Sequence, residues 1–303
     1  MPRLVPLPEP FGSEPFSTRF AIDSGLSRER LRRRDLDRPY WGVRVPSATN
    51  LTLDLLCRAY ATRIPPDASF SHLTAARLLG FPLPARFDSD QRLHIATPPP
   101  LRSLRGHGVR GHKLALGPSE VVRVRDIPLT SAARTWVDLA KGVSTEELIV
   151  LGDFLLWRRH PLSTRDQLAE AVDRARGRRG VINASRALPH LTDRADSPPE
   201  SQFRYRFAEA GLPLALPNVE LFTNTGEFLA MPDLVFEQYH EVFDYEGDHH
   251  RTEERQWQKD IARVRKLEEN GWHSTRGSKA DLRDSSDLIA QMTRLFESKG
   301  WRR

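Results

Sequence analysis

The residues with the clearest potential for chemistry lie in one acidic stretch near the C-terminal end of the sequence. Three carboxylates fall on two short apolar segments typical of strands, at Asp233, Asp244 and Glu246. Asp244 and Glu246 are two residues apart, so their side chains point to the same face of a strand. His249 and His250 follow after a glycine. Three carboxylates and two imidazoles within eighteen residues, at strand ends, predict a metal site.

The element that precedes this stretch begins with a recognisable helix start. Ser197 has the chemistry of an N-cap, Pro198 suits the first helical position, and Glu200 occupies the third. The predicted helix continues to about Ala210. Two interpretations of Glu200 stay open, since its carboxylate can close a capping box or point towards the acidic stretch and help to hold a metal.

The elements around the stretch follow a regular order. Residues 219–223 and 228–236 predict a hairpin, 241–246 a further strand, 253–269 a long helix, 272–275 a weak strand and 285–299 a closing helix. In the long helix, Gln256, Asp260 and Arg263 are spaced four and three apart and therefore share one face. The order is helix, three strands, helix, strand, helix.

A basic segment near the N-terminal end predicts a DNA-binding element. Ala21, Gly25 and Leu31 have the spacing of a helix-turn-helix, and residues 41–45 predict a short strand such as a wing. The predicted second helix carries a run of arginines suited to phosphate contacts: Arg28, Arg30, Arg32, Arg33 and Arg34. The alternative is a small helical subdomain with a solvated arginine face.

The middle of the sequence predicts a mixed α/β region. Helices are expected at 50–64, 71–80, 130–140, 145–157, 163–174 and 181–191, and strands between 91 and 127. His72 stands at a helix start, where a histidine is more often a capping or surface residue than a catalytic one. His94, His107 and His112 are scattered and lack metal-ligand spacing. Cys57, the only cysteine, is expected to be a buried small hydrophobic residue.

Composition and charge indicate a soluble globular protein with a basic N-terminal part. No apolar run reaches membrane-spanning length, and one cysteine fits the reducing cytoplasm. Residues 196–303 hold 15 Lys/Arg and 20 Asp/Glu, which leaves 31 of the 46 basic and 20 of the 40 acidic residues for the rest. The rest therefore carries +11, which favours a DNA partner.

The segment 193–200, DRADSPPE, is the clearest predicted boundary because its prolines and polar residues separate the basic part from the acidic part. The expected domains are 1–48, helix-turn-helix and winged-helix-like; 49–192, mixed α/β; and 197–303, the part with the acidic stretch.

Several motifs in residues 197–303 resemble the very-short-patch-repair-like endonucleases of the DUF559 type, in the PD-(D/E)XK superfamily. They are ES at 200–201, PD at 232–233, DYEGDHHR at 244–251, QWQKD at 256–260 with Arg263, and GW at 271–272. Two further motifs, SHLTAARLLG at 71–80 and TSAARTWVDLA at 130–140, resemble an AbiEi-type antitoxin-like region.

The first resemblance implies a restriction-endonuclease-like three-layer α/β domain with a four-stranded mixed sheet. It also implies a metal-dependent phosphodiesterase in which Asp233, Asp244 and Glu246 bind Mg²⁺ or Mn²⁺. His250 matches a family histidine and would be an acid or base. Glu200, Gln256, Asp260 and Arg263 would support these residues. The family usually has Glu-Tyr-Asp-Gly where this sequence has Asp-Tyr-Glu-Gly, and the superfamily lysine is absent.

Two functions are consistent with these patterns. The first is a metal-dependent DNA endonuclease-like protein with a basic DNA-binding region. The second is a DNA-binding regulator or antitoxin-like protein whose nuclease fold is catalytically inactive. Both predict DNA as a partner, no membrane association and a cytoplasmic location. A homodimer or a toxin-antitoxin-type partner is compatible with either.

Overall fold

The computed structural model describes residues 7–9, 11–12, 14–47, 51–247 and 254–302, with only the backbone for 254–261. Two units are present, residues 1–139 and 140–303. The segment 193–200, which the sequence suggests as a boundary, lies inside the second unit. The predicted helix start within this segment is confirmed, because Ser197 caps the helix that begins at Pro198.

The first part of unit 1 is a small antiparallel sheet with one short helix. The elements are β1 (Phe16–Ser17), α1 (Thr18–Asp23), β2 (Leu36–Asp37) and β3 (Val43–Pro46), and the strand order is β1-β3-β2. The predicted turn is present, since Gly25 has φ +92°, which favours glycine. The predicted strand at 41–45 corresponds to β3.

The predicted second helix of the helix-turn-helix is wrong. Among the described residues, Arg30–Arg32 forms only a single 3-10 turn. The carbonyl of Leu31, which a helix would use internally, accepts a hydrogen bond from Arg44 Nε at 2.8 Å. Leu31 is also the only apolar residue between positions 27 and 35, so a helix there would have no apolar stripe to bury.

The rest of unit 1 is built on a six-stranded mixed sheet of order β6-β7-β5-β4-β9-β8. Its elements are α2 (Leu53–Ala61), β4 (Ser69–Phe70), α3 (His72–Leu78), β5 (Leu93–Thr97), β6 (Arg105–Gly106), β7 (Val109–Lys113), β8 (Val121–Val124), β9 (Ile127–Thr130) and α4 (Ala132–Leu139). All five residues of β5 are buried, as expected for a central strand covered on both faces. The core includes Phe70, Ile95, Leu129 and Cys57, so the prediction for the cysteine is confirmed.

Unit 2 begins with helices. They are α5 (Thr145–Leu156), α6 (Arg165–Arg174), α7 (Val181–Ala187) and α8 (Pro198–Glu209). Asp153 of α5 is buried and accepts hydrogen bonds from the Thr192 amide, Ser201 Oγ and Arg204 Nη2, each at 2.7 Å. A buried carboxylate with three donors fixes α5 to α8 and to the segment between the helices.

The rest of unit 2 is built on a four-stranded mixed sheet of order β10-β13-β14-β15. Its elements are β10 (Leu216–Pro217), β11 (Leu221–Phe222), β12 (Phe228–Ala230), β13 (Leu234–Phe236), β14 (Glu241–Glu246), α9 (Glu254–Glu269), β15 (His273–Ser278), α10 (Lys279–Arg283) and α11 (Ser286–Ser298). Strands β14 and β15 are parallel and the other pairs are antiparallel.

The predicted strand at 228–236 is split into two. Strand β12 pairs with β11 in a separate two-stranded sheet, whereas β13 joins the main sheet. Pro232 lies between them and has no N–H for a ladder hydrogen bond, which explains the break. Strand β10 takes the edge position of the main sheet.

Opposite faces of the main sheet pack against different helices. Phe236 and Phe243 share a cluster with Phe203 of α8 and Phe296 of α11. Val235 and Val242 share the other cluster with Leu267 of α9. Residues 244 and 246 alternate with Phe243 and therefore lie on the α9 side. None of the described helices is long and apolar enough to cross a membrane.

Candidate functional site

Two of the predicted carboxylates face each other at the end of the main sheet in unit 2. Leu234 of β13 pairs with Phe243 of β14, so the next pair outward is Asp233 and Asp244. The Asp233 amide donates to Asp244 Oδ1 at 3.2 Å, and the Tyr245 amide donates to Asp233 Oδ2 at 2.7 Å. The strand ends therefore hold the two side chains side by side.

The electrostatics of this pair are unfavourable without a cation. The pKa of Asp233 is raised to about 7, with burial as the largest cause. The nearby carboxylates of Glu200 and Asp244 also raise this pKa, whereas the Tyr245 amide and Arg263 lower it. Like charges directly opposite each other destabilise a sheet. Arg263 of α9 supplies the cation that the structure shows, since its Nη2 lies 2.6 Å from Asp244 Oδ1.

The carboxylate of Glu200 is held by hydrogen bonds that differ from those of a capping box. Its Oε2 accepts hydrogen bonds from the Asp196 amide at 2.9 Å and from Asn218 Nδ2 at 2.6 Å, and no capping box with Ser197 forms. Burial raises the pKa of Glu200. Asn218 links Glu200 to the acidic pair, since its backbone amide also donates to the Asp233 carbonyl at 3.1 Å. Asn218 is a site residue that the sequence does not single out.

Glu246 is not brought together with the two aspartates. Its carboxylate is exposed and pairs with Arg276, which lies on the adjacent parallel strand β15. Within the described residues, the carboxylates of Asp233, Asp244 and Glu246 do not form a cluster placed to share an ion. The predicted three-carboxylate ligand set is therefore reduced to the pair Asp233 and Asp244, because Glu246 follows the strand outward into solvent.

Several predicted residues cannot be located at this site. His249 and His250 lie outside the described residues. Gln256 and Asp260 belong to α9, where only the backbone is described. Arg263 is the one member of the predicted helix face whose side chain is described, and it reaches Asp244.

The arginines predicted to contact DNA do not lie on a helix. Arg30 is held by Asp35 through two hydrogen bonds, of 3.0 and 2.7 Å. Arg28, Arg32 and Arg34 are exposed, and Arg33 is half-buried. They follow a turn and an extended segment rather than a helix that could enter a groove, so the predicted recognition geometry is wrong.

A cluster that the sequence does not predict lies in unit 1. His72 is the first residue of α3, His94 lies on β5 and His112 on β7, and one nitrogen of each ring lies within 4.8 Å of the others. The rings of His72 and His112 stack with centroids 3.7 Å apart, and His112 Nε2 lies 3.2 Å from His94 Nδ1. The expectation that His94 and His112 are scattered is wrong, whereas His107 lies outside this cluster.

Strand pairing creates this cluster. In the parallel pair of β5 and β7, His94 is opposite Arg110 and Ala96 is opposite His112, so both histidines point to one face. Period-two alternation places His112 on the Arg110 face of its strand. No local sequence pattern predicts the parallel pairing of β5 with β7, so the sequence alone does not bring the three histidines together.

Burial keeps the histidine rings neutral. It lowers the pKa of His94 and of His112 to about 4, and it lowers the pKa of His72 further. For each ring burial is the largest cause. Asp90, with Oδ2 3.4 Å from His94 Nε2, acts in the opposite direction on His94.

Comparisons with known proteins give two relatives and no family. Two proteins of Mycobacterium tuberculosis, "Uncharacterized protein MT2308" of strain CDC 1551 and "Uncharacterized protein Rv2248" of strain H37Rv, are each 29% identical over 143 residues. The alignment covers 47% of this chain and 52% of each relative, so the chain spans about half the length of the curated relatives it matches. No family model matches the chain. No solved structure matches it either.

Proposed function

We propose that the acidic part of unit 2 is a metal-dependent endonuclease-like site that hydrolyses DNA phosphodiester bonds. The observation that carries this proposal is the pair of facing carboxylates, Asp233 and Asp244, at the end of adjacent strands, with Glu200 connected to Asp233 through Asn218. Two carboxylates held together against their mutual repulsion favour a cation as their partner. The motif resemblance to PD-(D/E)XK nucleases supports the same function.

The donor set fits magnesium or manganese. Mg²⁺ uses one or two protein carboxylates and keeps several waters, and Asp233 and Asp244 offer these two. Glu246 is not counted among these ligands, because its exposed carboxylate pairs with Arg276. When bound, the ion would neutralise phosphate charge and lower the pKa of a water.

The protein groups around the pair have separate roles in this proposal. Asp233 and Asp244 would bind the ion as charged carboxylates, and the ion would favour the charged form of Asp233, whose pKa of about 7 applies without a metal. Arg263 holds Asp244 and places a positive charge beside it, where a phosphate would approach. Asn218 and the Asp196 amide orient Glu200.

The DNA partner is supported by charge. Residues 1–195 carry 31 basic and 20 acidic residues, against 15 and 20 in the rest. Basic side chains attract a polyanion without regard to its sequence, so the first part of the chain would raise the local concentration of DNA.

A second function is favoured by the arginine pairs at the site. Asp244 is bound to Arg263 and Glu246 to Arg276, so two of the three predicted ligands already have a cationic partner. These pairs are what a nuclease fold without catalysis would contain. The alternative is accordingly a DNA-binding regulator or antitoxin-like protein that neither binds Mg²⁺ nor cleaves DNA.

The test is plasmid nicking with Mg²⁺ or Mn²⁺ by the wild type and by Asp233→Asn and Asp244→Asn. We expect cleavage by the wild type and a loss of about 100-fold or more in each variant, since each removes a charged ligand. Asp287→Asn, an exposed residue at the start of α11, is the matched control and retains activity. Equal nicking by all four proteins would exclude the proposed site.

Magnesium calorimetry separates the two functions. Wild-type protein that binds DNA, gives no heat with Mg²⁺ and leaves the plasmid intact would support the regulator. Binding of Mg²⁺ that disappears in Asp233→Asn would support the nuclease.

A further inference from the structure

We propose that His72, His94 and His112 form a binding site for a divalent transition-metal ion, with Zn²⁺ as the best match, in unit 1. The site is separate from the carboxylates of unit 2 and does not depend on their proposed function. In the part of the chain whose side chains are described, these three residues are the one group of three or more His, Cys, Asp or Glu side chains placed to share an ion.

The spacing of the ring nitrogens suits a metal. In a tetrahedral zinc site with Zn–N bonds of about 2.0–2.1 Å, two nitrogen ligands are roughly 3.3 Å apart. His94 Nδ1 and His112 Nε2 are 3.2 Å apart. The nitrogen of His72 lies within 4.8 Å of both, and its ring, which is stacked on His112, would rotate out of the stack to complete the set. Without a metal, the pair of nitrogens shares one proton in a hydrogen bond.

In two of the three rings, the other nitrogen has a separate partner. His72 Nδ1 lies 3.1 Å from Ser71 Oγ, and His94 Nε2 lies 3.4 Å from Asp90 Oδ2. These contacts leave His72 Nε2, His94 Nδ1 and His112 Nε2 to bind the ion. A carboxylate on the far nitrogen of a ligand histidine fixes the tautomer and makes the imidazole a stronger donor.

The backbone holds the histidines in place. The Ser71 amide donates to the His94 carbonyl at 2.9 Å, and the His94 amide donates to Thr74 Oγ1 at 2.8 Å. The start of α3 is thus tied twice to β5. His72 itself has φ +48°, a left-handed conformation that is costly for a residue with a side chain. Such strain is concentrated at functional sites, and here it directs the ring onto His112.

The ligand chemistry selects the class of metal. Three imidazoles suit Zn²⁺, Ni²⁺, Co²⁺ and Cu²⁺, whereas Mg²⁺ and Ca²⁺ require oxygen ligands. Burial favours the neutral rings that bind metals. Three protein ligands leave a fourth tetrahedral position for a solvent molecule, an arrangement found in catalytic rather than structural zinc sites.

The test is binding of Zn²⁺ and Co²⁺ to the metal-free full chain, by calorimetry and by the visible absorption of Co²⁺. We expect one equivalent in the wild type and affinity at least 100-fold weaker in His94→Ala and His112→Ala. His107→Ala is the matched control, since His107 is exposed in the same unit and outside the group. Asp233→Asn keeps the wild-type affinity, which shows that the ion does not bind at the carboxylates.

Two further variants separate the loss of a metal ligand from the loss of the fold. His112→Gln replaces the ring with a polar side chain, and circular dichroism confirms its fold before titration. Asp90→Asn removes only the charge behind His94, and we expect about 10-fold weaker binding. Wild-type protein that binds neither metal, or folded His94 and His112 variants with wild-type affinity, would overturn the proposal.

Discussion

The histidine cluster of unit 1 and the carboxylate pair of unit 2 respond to burial in opposite directions. Burial lowers the pKa of His94 and His112 to about 4 and raises that of Asp233 to about 7. Both shifts favour the neutral form of the side chain. The neutral form of histidine binds metals, whereas a carboxylate binds them when charged.

This difference explains why the two sites have different neighbours. The histidines can be packed closely without a cation, and ring stacking and hydrogen bonds hold them together. The aspartates need a positive charge, and Arg263 provides one. A metal ion would therefore add to the histidine site but would have to share the carboxylate site with an arginine.

The largest expected effect concerns acid. The folded-state pKa values of His94 and His112 lie below the ordinary 6.5. Between about pH 6.5 and 4 the unfolded chain therefore binds more protons at these residues than the folded chain does. Stability contributed by the neutral rings is present above pH 6.5 and is lost as the pH falls from 6.5 towards 4. The loss is about 3–6 kcal/mol for the two residues together.

The measurement is urea unfolding of the metal-free protein between pH 4 and 7, for the wild type and for the double variant His94→Gln, His112→Gln. We expect the double variant to lose less stability in acid than the wild type. His107→Gln is the control and follows the wild type. Parallel pH curves for the wild type and the double variant would contradict the assigned pKa shifts.

The second expected effect concerns Asp233, which lowers the stability of the folded protein as the pH rises rather than as it falls. The pKa of Asp233 is raised, so its ionisation in the folded state costs stability, and this cost grows as the pH rises from about 4 to 7. Asp233→Asn should therefore be more stable than the wild type by about 2–4 kcal/mol at pH 8 and equal to it near pH 4.

Metal-free unfolding at both pH values checks this prediction, with Asp287→Asn as the control. A variant less stable than the wild type at pH 8 would show that the Asp233 carboxylate is not under repulsion. The prediction also couples to function, since the same variant is expected to lose nuclease activity.

A smaller effect distinguishes the two arginines at the acidic site. Arg263→Met leaves Asp244 facing Asp233 without the guanidinium that it binds. In the absence of metal, we expect the free energy of unfolding to fall by about 1–2 kcal/mol. Arg276→Met breaks an exposed pair and should cost about 0.5 kcal/mol or less. Thermal melts with and without Mg²⁺ provide the comparison, and Mg²⁺ should stabilise Arg263→Met more. Equal losses in the two variants would argue against a special role for Arg263.

Local patterns predicted most of the helices. Residues 145–157, 163–174 and the start at Ser197 carry caps and apolar periodicity, and the structure contains α5, α6 and α8 there. The second helix of the helix-turn-helix failed because glycine spacing and arginines do not supply a buried stripe. The segment 193–200, suggested as a boundary, lies within unit 2 and contains the predicted start of α8.

The candidate sites were predictable to different degrees. Asp233 and Asp244 could be found because short-range spacing and the resemblance to nucleases both identify them. The separation of Glu246 from these two residues could not be predicted, because it depends on a contact with Arg276, which lies 30 residues away on a parallel strand. The histidine cluster depends on strand pairing between elements with no local signal, so only the folded chain shows it.

The hydrogen bonds of Asp153 determine where the chain can be divided. A fragment that begins at residue 197 would leave Ser201 and Arg204 of α8 without the carboxylate that they contact, and it would expose the surface that α5 covers. Such a fragment should aggregate or unfold, although it contains every residue of the acidic pair. A fragment that begins at residue 140 keeps these contacts and is the smaller unit to use for crystals, for deuterium exchange or for expression of the part with the acidic pair alone.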